Sequence, residues 1–221
     1  MYIEAGKAER PVEGQDRLVL LEDLGRFAVF DGAGNAIASS LAAKVFREQQ
    51  EGVSLPSLGE VFERVQEGLM EYQDNLSEAY KYLRGFILTT GTALGIGTDT
   101  SDLEFAHAGD SAMCMFDFEA RRLSGVTRQD VIGHRADVDN FLGSPRHILT
   151  QYGSVTAPEH VALALFSDGV GDKANPEGAV TEGQMVEILG AELSCDEKAE
   201  QIIEASSIND DRAVIVVERK P

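Results

Sequence analysis

The order of patterns in these 221 residues predicts an α+β fold, a four-layer α-β-β-α sandwich of two central, mainly antiparallel sheets flanked by helix pairs. Two observations carry the prediction. Apolar runs of strand length gather in blocks bounded by Gly, Asp, Ser and Thr. Helical stretches come in pairs, one after the first strands and one before the last strand. Helices segregated in this way disfavour repeated βαβ units, whereas two packed sheets with a helix pair on each outer face satisfy the order.

Residues 1–16 carry little pattern until Glu13-Gly-Gln-Asp16. Arg17 to Glu22 reads as a short aliphatic strand, and Glu22-Asp-Leu-Gly25 as a hairpin loop leading into the buried strand Phe27–Phe30. That strand stops at Asp31-Gly32. Asn35, a favourable N-cap, then opens a helix over 35–51 with Ala36, Ile37, Leu41, Val45 and Phe46 on its apolar face. From Pro56 to Arg84, Leu58, Val61, Phe62, Val65, Leu69, Tyr72, Leu76, Tyr80 and Leu83 recur at helical spacing, with a break expected near Asp74-Asn75. Strands follow at Phe86–Gly97, Leu103–Ala108 and Ala112–Phe118. The polar, glycine-bearing stretch 125–147 contains Pro145 and reads as a surface flap in a single domain covering 1–221. Val161–Phe166 is a buried strand, Thr181–Leu193 and Asp196–Ser206 are helical, and Arg212–Glu218 is the last strand.

With 43% hydrophobic and 26% charged residues, the composition is that of a globular domain with a sizeable core. A net charge of −19 argues against nucleic acid and anionic membranes as partners, since both require basic patches. No apolar run approaches the roughly 20 residues that span a bilayer. The first residues lack the layout of a secretion signal. Cys114 and Cys195 have neither metal nor redox spacing. These features predict a cytoplasmic protein, read here as a monomer.

Function concentrates in five acidic turns that border apolar runs: Asp16 before Leu18, Asp31-Gly32 after Phe30, Gly109-Asp110-Ser111, Ser167-Asp168-Gly169 after Phe166, and Asp210-Asp211 before Val214. Strand ends on one edge of a sandwich converge, so these carboxylates could share a pocket. Several carboxylates in one pocket cannot all remain ionised and unpaired. Divalent cations resolve the conflict, and all-oxygen donors favour Mg²⁺ or Mn²⁺ over Zn²⁺.

The ordered set Gln15-Asp16, Asp31-Gly-Ala-Gly34, Thr90-Gly-Thr-Ala93, Gly109-Asp-Ser111, Ser167-Asp-Gly-Val-Gly-Asp172 and Asp210-Asp211-Arg-Ala-Val-Ile-Val-Val217 resembles the metal-dependent protein serine/threonine phosphatases of type 2C, the PPM family, in its bacterial form. Each motif is short, but their joint order covers residues 10–217. The resemblance implies that Asp31 bridges two Mn²⁺ or Mg²⁺ ions, with the Gly32 carbonyl on one of them. Asp168 and Asp210 would also ligate the metals, and Asp16 would hold a metal-bound water. Asp110, Asp168 and Asp172 match the residues that hold a third, weaker ion in bacterial members. The implied reaction is hydrolysis of phosphoserine or phosphothreonine in a protein substrate by a metal-activated water, without a phosphoenzyme.

The sequence departs from the family pattern in three places. The candidate for the arginine that grips the substrate phosphate is Arg10, which lies one residue too far upstream and so calls for a small loop shift or a substitute such as Lys7. Position 33 is Ala where many eukaryotic members carry a histidine proposed as general acid, leaving that proton to water. The usual Asp-Asn pair is Asp210-Asp211, a form shared with some bacterial stress and sporulation phosphatases. Two other readings compete: a catalytically silent relative that binds a partner through the same fold, and a hydrolase of small phosphorylated molecules. Retention of Asp31, Asp168 and Asp210 disfavours the first. Elsewhere, His107 reads as a packed histidine. His134 and His147, with Arg121, Arg122, Arg128, Arg135 and Arg146, read as surface groups of the flap and its approaches. Ser111 and Ser167 lack a histidine base at an obvious spacing, which argues against a serine nucleophile.

Overall fold

The computed structural model describes residues 2–33, 35–51, 55–83, 86–97, 101–127, 129, 140–145, 150–171 and 177–221. The strands are β1 (Tyr2–Arg10), β2 (Arg17–Leu21), β3 (Arg26–Ala33), β4 (Leu88–Ile96), β5 (Asp102–Ala108), β6 (Ala112–Asp117), β7 (Arg122–Gly125), β8 (Gln151–Thr156), β9 (Val161–Phe166) and β10 (Arg212–Lys220). The helices are α1 (Ala36–Glu48), α2 (Leu58–Asp74), α3 (Glu182–Leu189) and α4 (Cys195–Ala205). One five-stranded sheet has the order β1-β10-β9-β6-β7 and the other β2-β3-β4-β5-β8. Every pairing between these strands is antiparallel.

Strand β3 shows why the layers form. It is buried on both faces, so it reads as a continuous apolar run instead of an alternating one. Phe27 and Val29 point between the sheets and meet Leu94, Leu103, Leu163 and Ile215. Ala28 and Phe30 point the other way, onto α1 and α2. There the Phe30 ring lies 5.8 Å from Phe46 and 6.0 Å from Phe62. Full burial of one such side chain contributes roughly 1.5–3 kcal/mol. On the opposite outer face, Phe116, Ala164, Val214 and Val216 pack under Met185, Leu189 and Ile202 of the second helix pair. The four-layer expectation is met.

Helix starts follow their capping chemistry. The Asn35 side chain accepts the Ile37 N–H at 3.0 Å. Ser57–Glu60, Thr181–Gln184 and Ser194–Glu197 each form a reciprocal capping box. The long periodic stretch breaks where read: α2 ends at Asp74, Asn75 caps it, and a short 3-10 segment follows at Glu78–Leu83.

Three strands escaped the sequence reading. In β1, Gly6 is the sole buried residue, so no apolar signal marks it; yet the strand pairs with β10 along its whole length, from Tyr2 opposite Lys220 to Arg10 opposite Arg212. Edge strands β7 and β8 are short, polar and partly exposed. Of the stretch read as a flap, Gly125 ends β7, residues 126–127, 129 and 140–145 are irregular apart from a bridge between Leu142 and Thr89, and the rest lie outside the described residues. Among the described residues, no helix is long and apolar enough to cross a membrane.

Candidate metal centre

Strand β3 delivers Asp31 opposite Thr90 of β4, and the Thr89 hydroxyl donates to the Asp31 carbonyl at 2.5 Å. Strand β5 belongs to one sheet and β6 to the other, so the turn at Gly109-Asp110-Ser111 crosses between the sheets. Gly109 has φ +94°, and a Cβ there would sit 2.4 Å from the Thr90 side chain, so only glycine fits. The hydroxyls of Thr90 and Ser111 lie 2.9 Å apart and tie the turn to β4. Asp168 follows β9, and Asp210 precedes the neighbouring β10. One carboxylate oxygen from each of Asp31, Asp110 and Asp168 lies within 4.8 Å of the other two.

These groups open onto a cleft of about 320 Å³ that Glu13, Gln15, Gly32, Ala33, Thr90, Phe141, Asn209 and Asp210 also line. Asp16 lies close by, 8% exposed, and among the described residues neither of its carboxylate oxygens meets a donor at hydrogen-bonding geometry. Burial pushes its carboxyl up to about 7; the nearby Ser167 hydroxyl draws it back in part, while the charges of Asp168 and Asp211 add to the rise. Asp31 is raised well above the ordinary carboxylate range, first by burial and then by the charges of Asp16 and Asp168. Carboxylates driven toward protonation by one another, with an orphaned buried carboxylate beside them, fit a hard divalent cation. The donors that converge are oxygens, which suits Mg²⁺ or Mn²⁺.

Of the residues picked from sequence, Asp31, Gly32, Asp110, Asp168 and Asp210 share the cleft, and Asp16 is in electrostatic contact with Asp31 and Asp168. The Asp210 Oδ1 accepts the Asp211 N–H at 2.7 Å. Asp172 lies outside the described residues, as do His134, His147, Arg128, Arg135 and Arg146. Arg10 does not line the cleft: β1 carries it to an exposed position opposite Arg212. Lys7 lies further along the same strand, its N–H bonded to Asp196 at 2.9 Å. Among the described residues, the cleft lining includes no Lys, Arg or His. His107 is fully buried in β5, as read. Burial pushes the Cys114 and Cys195 thiols up to about 12, which removes them as nucleophiles.

Sequence reasoning passed over Gln129, whose amide donates to the carbonyls of Asp110 and Gly171 and so links two of the acidic turns. A glutamine in a polar stretch gives no signal of that role.

A family model described as Stage II sporulation protein E (SpoIIE) matches residues 25–220. No curated protein matches the sequence. Among solved structures, the catalytic domain of the serine/threonine phosphatase PstP, in complex with two manganese ions, superposes with a TM-score of 0.77 at 18% identity, covering 98% of this chain and 97% of that one. The PPM Ser/Thr phosphatase MsPP from Mycobacterium smegmatis, with cacodylate, gives 0.74 at 17% identity over 99% and 98%. RsbX in complex with magnesium gives 0.66 at 12% over 98% and 94%. At these identities the superpositions establish the fold, and the family match extends over most of the sequence. The chain belongs to the SpoIIE family and has the fold of the bacterial PPM phosphatases.

Proposed function

We propose that the protein is a metal-dependent protein serine/threonine phosphatase, with residues 1–221 acting as one catalytic domain. The observation that carries this reading is the convergence of carboxylate oxygens from Asp31, Asp110 and Asp168 within 4.8 Å. Asp31, the Gly32 carbonyl, Asp168 and Asp210 would hold Mn²⁺ or Mg²⁺ ions. Asp16 would accept hydrogen bonds from ligand waters, and Asp110, Asp168 and Asp172 would hold a third ion. When bound, such ions supply a water of lowered pKa and neutralise charge on the phosphoryl oxygens. The protein itself orients the acids: Thr89 fixes the Asp31 backbone, the Thr90–Ser111 contact fixes the Asp110 turn, and Gln129 joins that turn to Gly171. The cleft, about 320 Å³ and open to solvent, has room for a phosphorylated side chain.

The test is phosphate release from an aryl phosphate and from a phosphothreonine peptide with Mn²⁺, with Mg²⁺ and with chelator. Metal-dependent release from the peptide is expected, whereas no release under any condition overturns the reading. Turnover of small phosphate esters alone would assign a small-molecule hydrolase. One observation favours a catalytically silent scaffold: Arg10, the residue matched to the family's phosphate grip, stands outside the cleft. Metal binding without turnover of any phosphate ester would select it.

A further inference from the structure

Asp210 and Asp211 are neighbours in sequence and divide their work. Asp210 lines the cleft. Asp211 is 4% exposed, and its carboxylate sits in a nest of backbone donors from the loop between β1 and β2. Its Oδ1 accepts the N–H groups of Val12, of Glu13 at 2.7 Å and of Gly14 at 3.1 Å, and its Oδ2 accepts that of Gln15. Both oxygens are therefore committed. The loop held in this way presents Glu13 and Gln15 to the cleft and leads directly into Asp16. On its other side, Asp211 abuts the Asp168 turn. The Ser167 hydroxyl reaches the Asp211 carbonyl at 3.4 Å, and a Cβ on Gly169 would fall 1.9 Å from that carbonyl oxygen, so no larger residue fits there.

We infer that Asp211 is a positioning residue: its buried carboxylate holds residues 12–15 against the start of β10 and thereby sets the place of Asp16 beside Asp31 and Asp168. Four charge-assisted bonds to consecutive N–H groups fix a segment that has no strand or helix of its own. This role rests on the metal-centre reading of the cleft, because what Asp211 positions is the surround of that centre. Partners one step removed from a metal ligand change metal affinity by roughly ten- to a hundredfold when lost.

The experiment compares wild type, Asp211→Asn and Asp211→Ala by amide hydrogen exchange and by Mn²⁺ titration, each on the folded protein at a matched fraction of its melting temperature. Asp211→Ala should lose protection selectively at residues 12–15 and bind Mn²⁺ roughly ten- to a hundredfold more weakly. Asp211→Asn keeps one carbonyl acceptor, so it should retain part of both, and it carries the test if the alanine variant does not fold. Unchanged Mn²⁺ affinity in a folded variant would overturn the positioning role, as would unchanged exchange at 12–15. Wild type that binds no Mn²⁺ would overturn the metal-centre reading and this inference with it, whereas normal wild-type binding with indifferent variants would overturn the inference alone.

Discussion

Strand β10 begins beside a group of buried carboxylates and ends near a single one, Glu218, about 20 Å away by strand rise. The two ends are completed differently. At the far end Glu218, 3% exposed, meets Lys198 at 2.6 Å and His160 at 2.9 Å. Lys198 is itself 1% exposed and lies 5.3 Å from the Phe118 ring centre, on which His160 stacks at 3.8 Å. At the near end Asp16 is similarly buried, yet among the described residues its oxygens meet no donor at hydrogen-bonding geometry, and the nearby Ser167 hydroxyl offsets only part of the burial. Burial pushes both carboxyls up. Lys198 and His160 reverse the shift and hold Glu218 below the ordinary range, whereas Asp16 rises to about 7. Asp211 is a third case, pushed up by burial and brought below the ordinary range by its backbone donors. Burial alone does not decide the state of an acid; its partners do. The fold supplies compensating partners to Glu218 and Asp211 and too little to Asp16 to offset its burial, which is the electrostatic setting that the proposed metal centre would relieve.

The comparison breaks most visibly at Lys198. Lys198→Met leaves Glu218 buried without its closest cation, and loss of one member of a buried pair costs about 3–5 kcal/mol. Urea denaturation should show that loss, with much of it recovered by adding Glu218→Gln; a change below about 1 kcal/mol would mean that the pair is idle. Mn²⁺ should then do for the aspartates what Lys198 does for Glu218. At a hundred times its dissociation constant it adds about 2.7 kcal/mol, seen as a raised melting temperature that chelator reverses. Asp16→Asn removes an uncompensated charge and should stabilise the metal-free protein by on the order of 1 kcal/mol, roughly 2–4 °C for a chain of this size; a lower melting temperature would contradict the repulsion argument.

The smallest effect is a pH dependence at Glu218. Its folded pKa lies below its unfolded value, so its contribution to stability is present above about pH 4.5 and is lost as pH falls through the folded pKa. Glu218→Gln should therefore be less stable than wild type at pH 7, with the gap narrowing below about pH 4.5. A gap independent of pH would remove the ion-pair account.

Much of the cleft was legible in sequence, because Asp31, Asp110 and Asp168 each stop a buried apolar run, where an acid without a partner is out of place. Strand β1 was not legible: with Gly6 its sole buried residue, it carries no hydrophobic pattern, and its pairing is set by β10. The same strand decides where Arg10 stands, exposed and outside the described lining of the cleft. Near Asp16 in sequence, it resembled a phosphate grip, but an extended strand carries it to a position opposite Arg212. Asp210 and Asp211 are the same letter, and only the geometry of the 12–15 loop distinguishes the acid that faces the cleft from the one that holds the loop. Gln129 acts through its amide on two carbonyls, a role that any polar residue in a loop could have had.

The most direct test of the central claim is phosphate release from a phosphothreonine peptide by wild type and Asp31→Asn at saturating Mn²⁺. Asn keeps the shape of the side chain and removes the negative charge that the proposed metal centre requires of Asp31. Loss of a ligand worth several kcal/mol predicts a fall in rate of about a thousandfold or more, with the fold intact by circular dichroism. Full activity in Asp31→Asn would contradict the assignment of the metal centre.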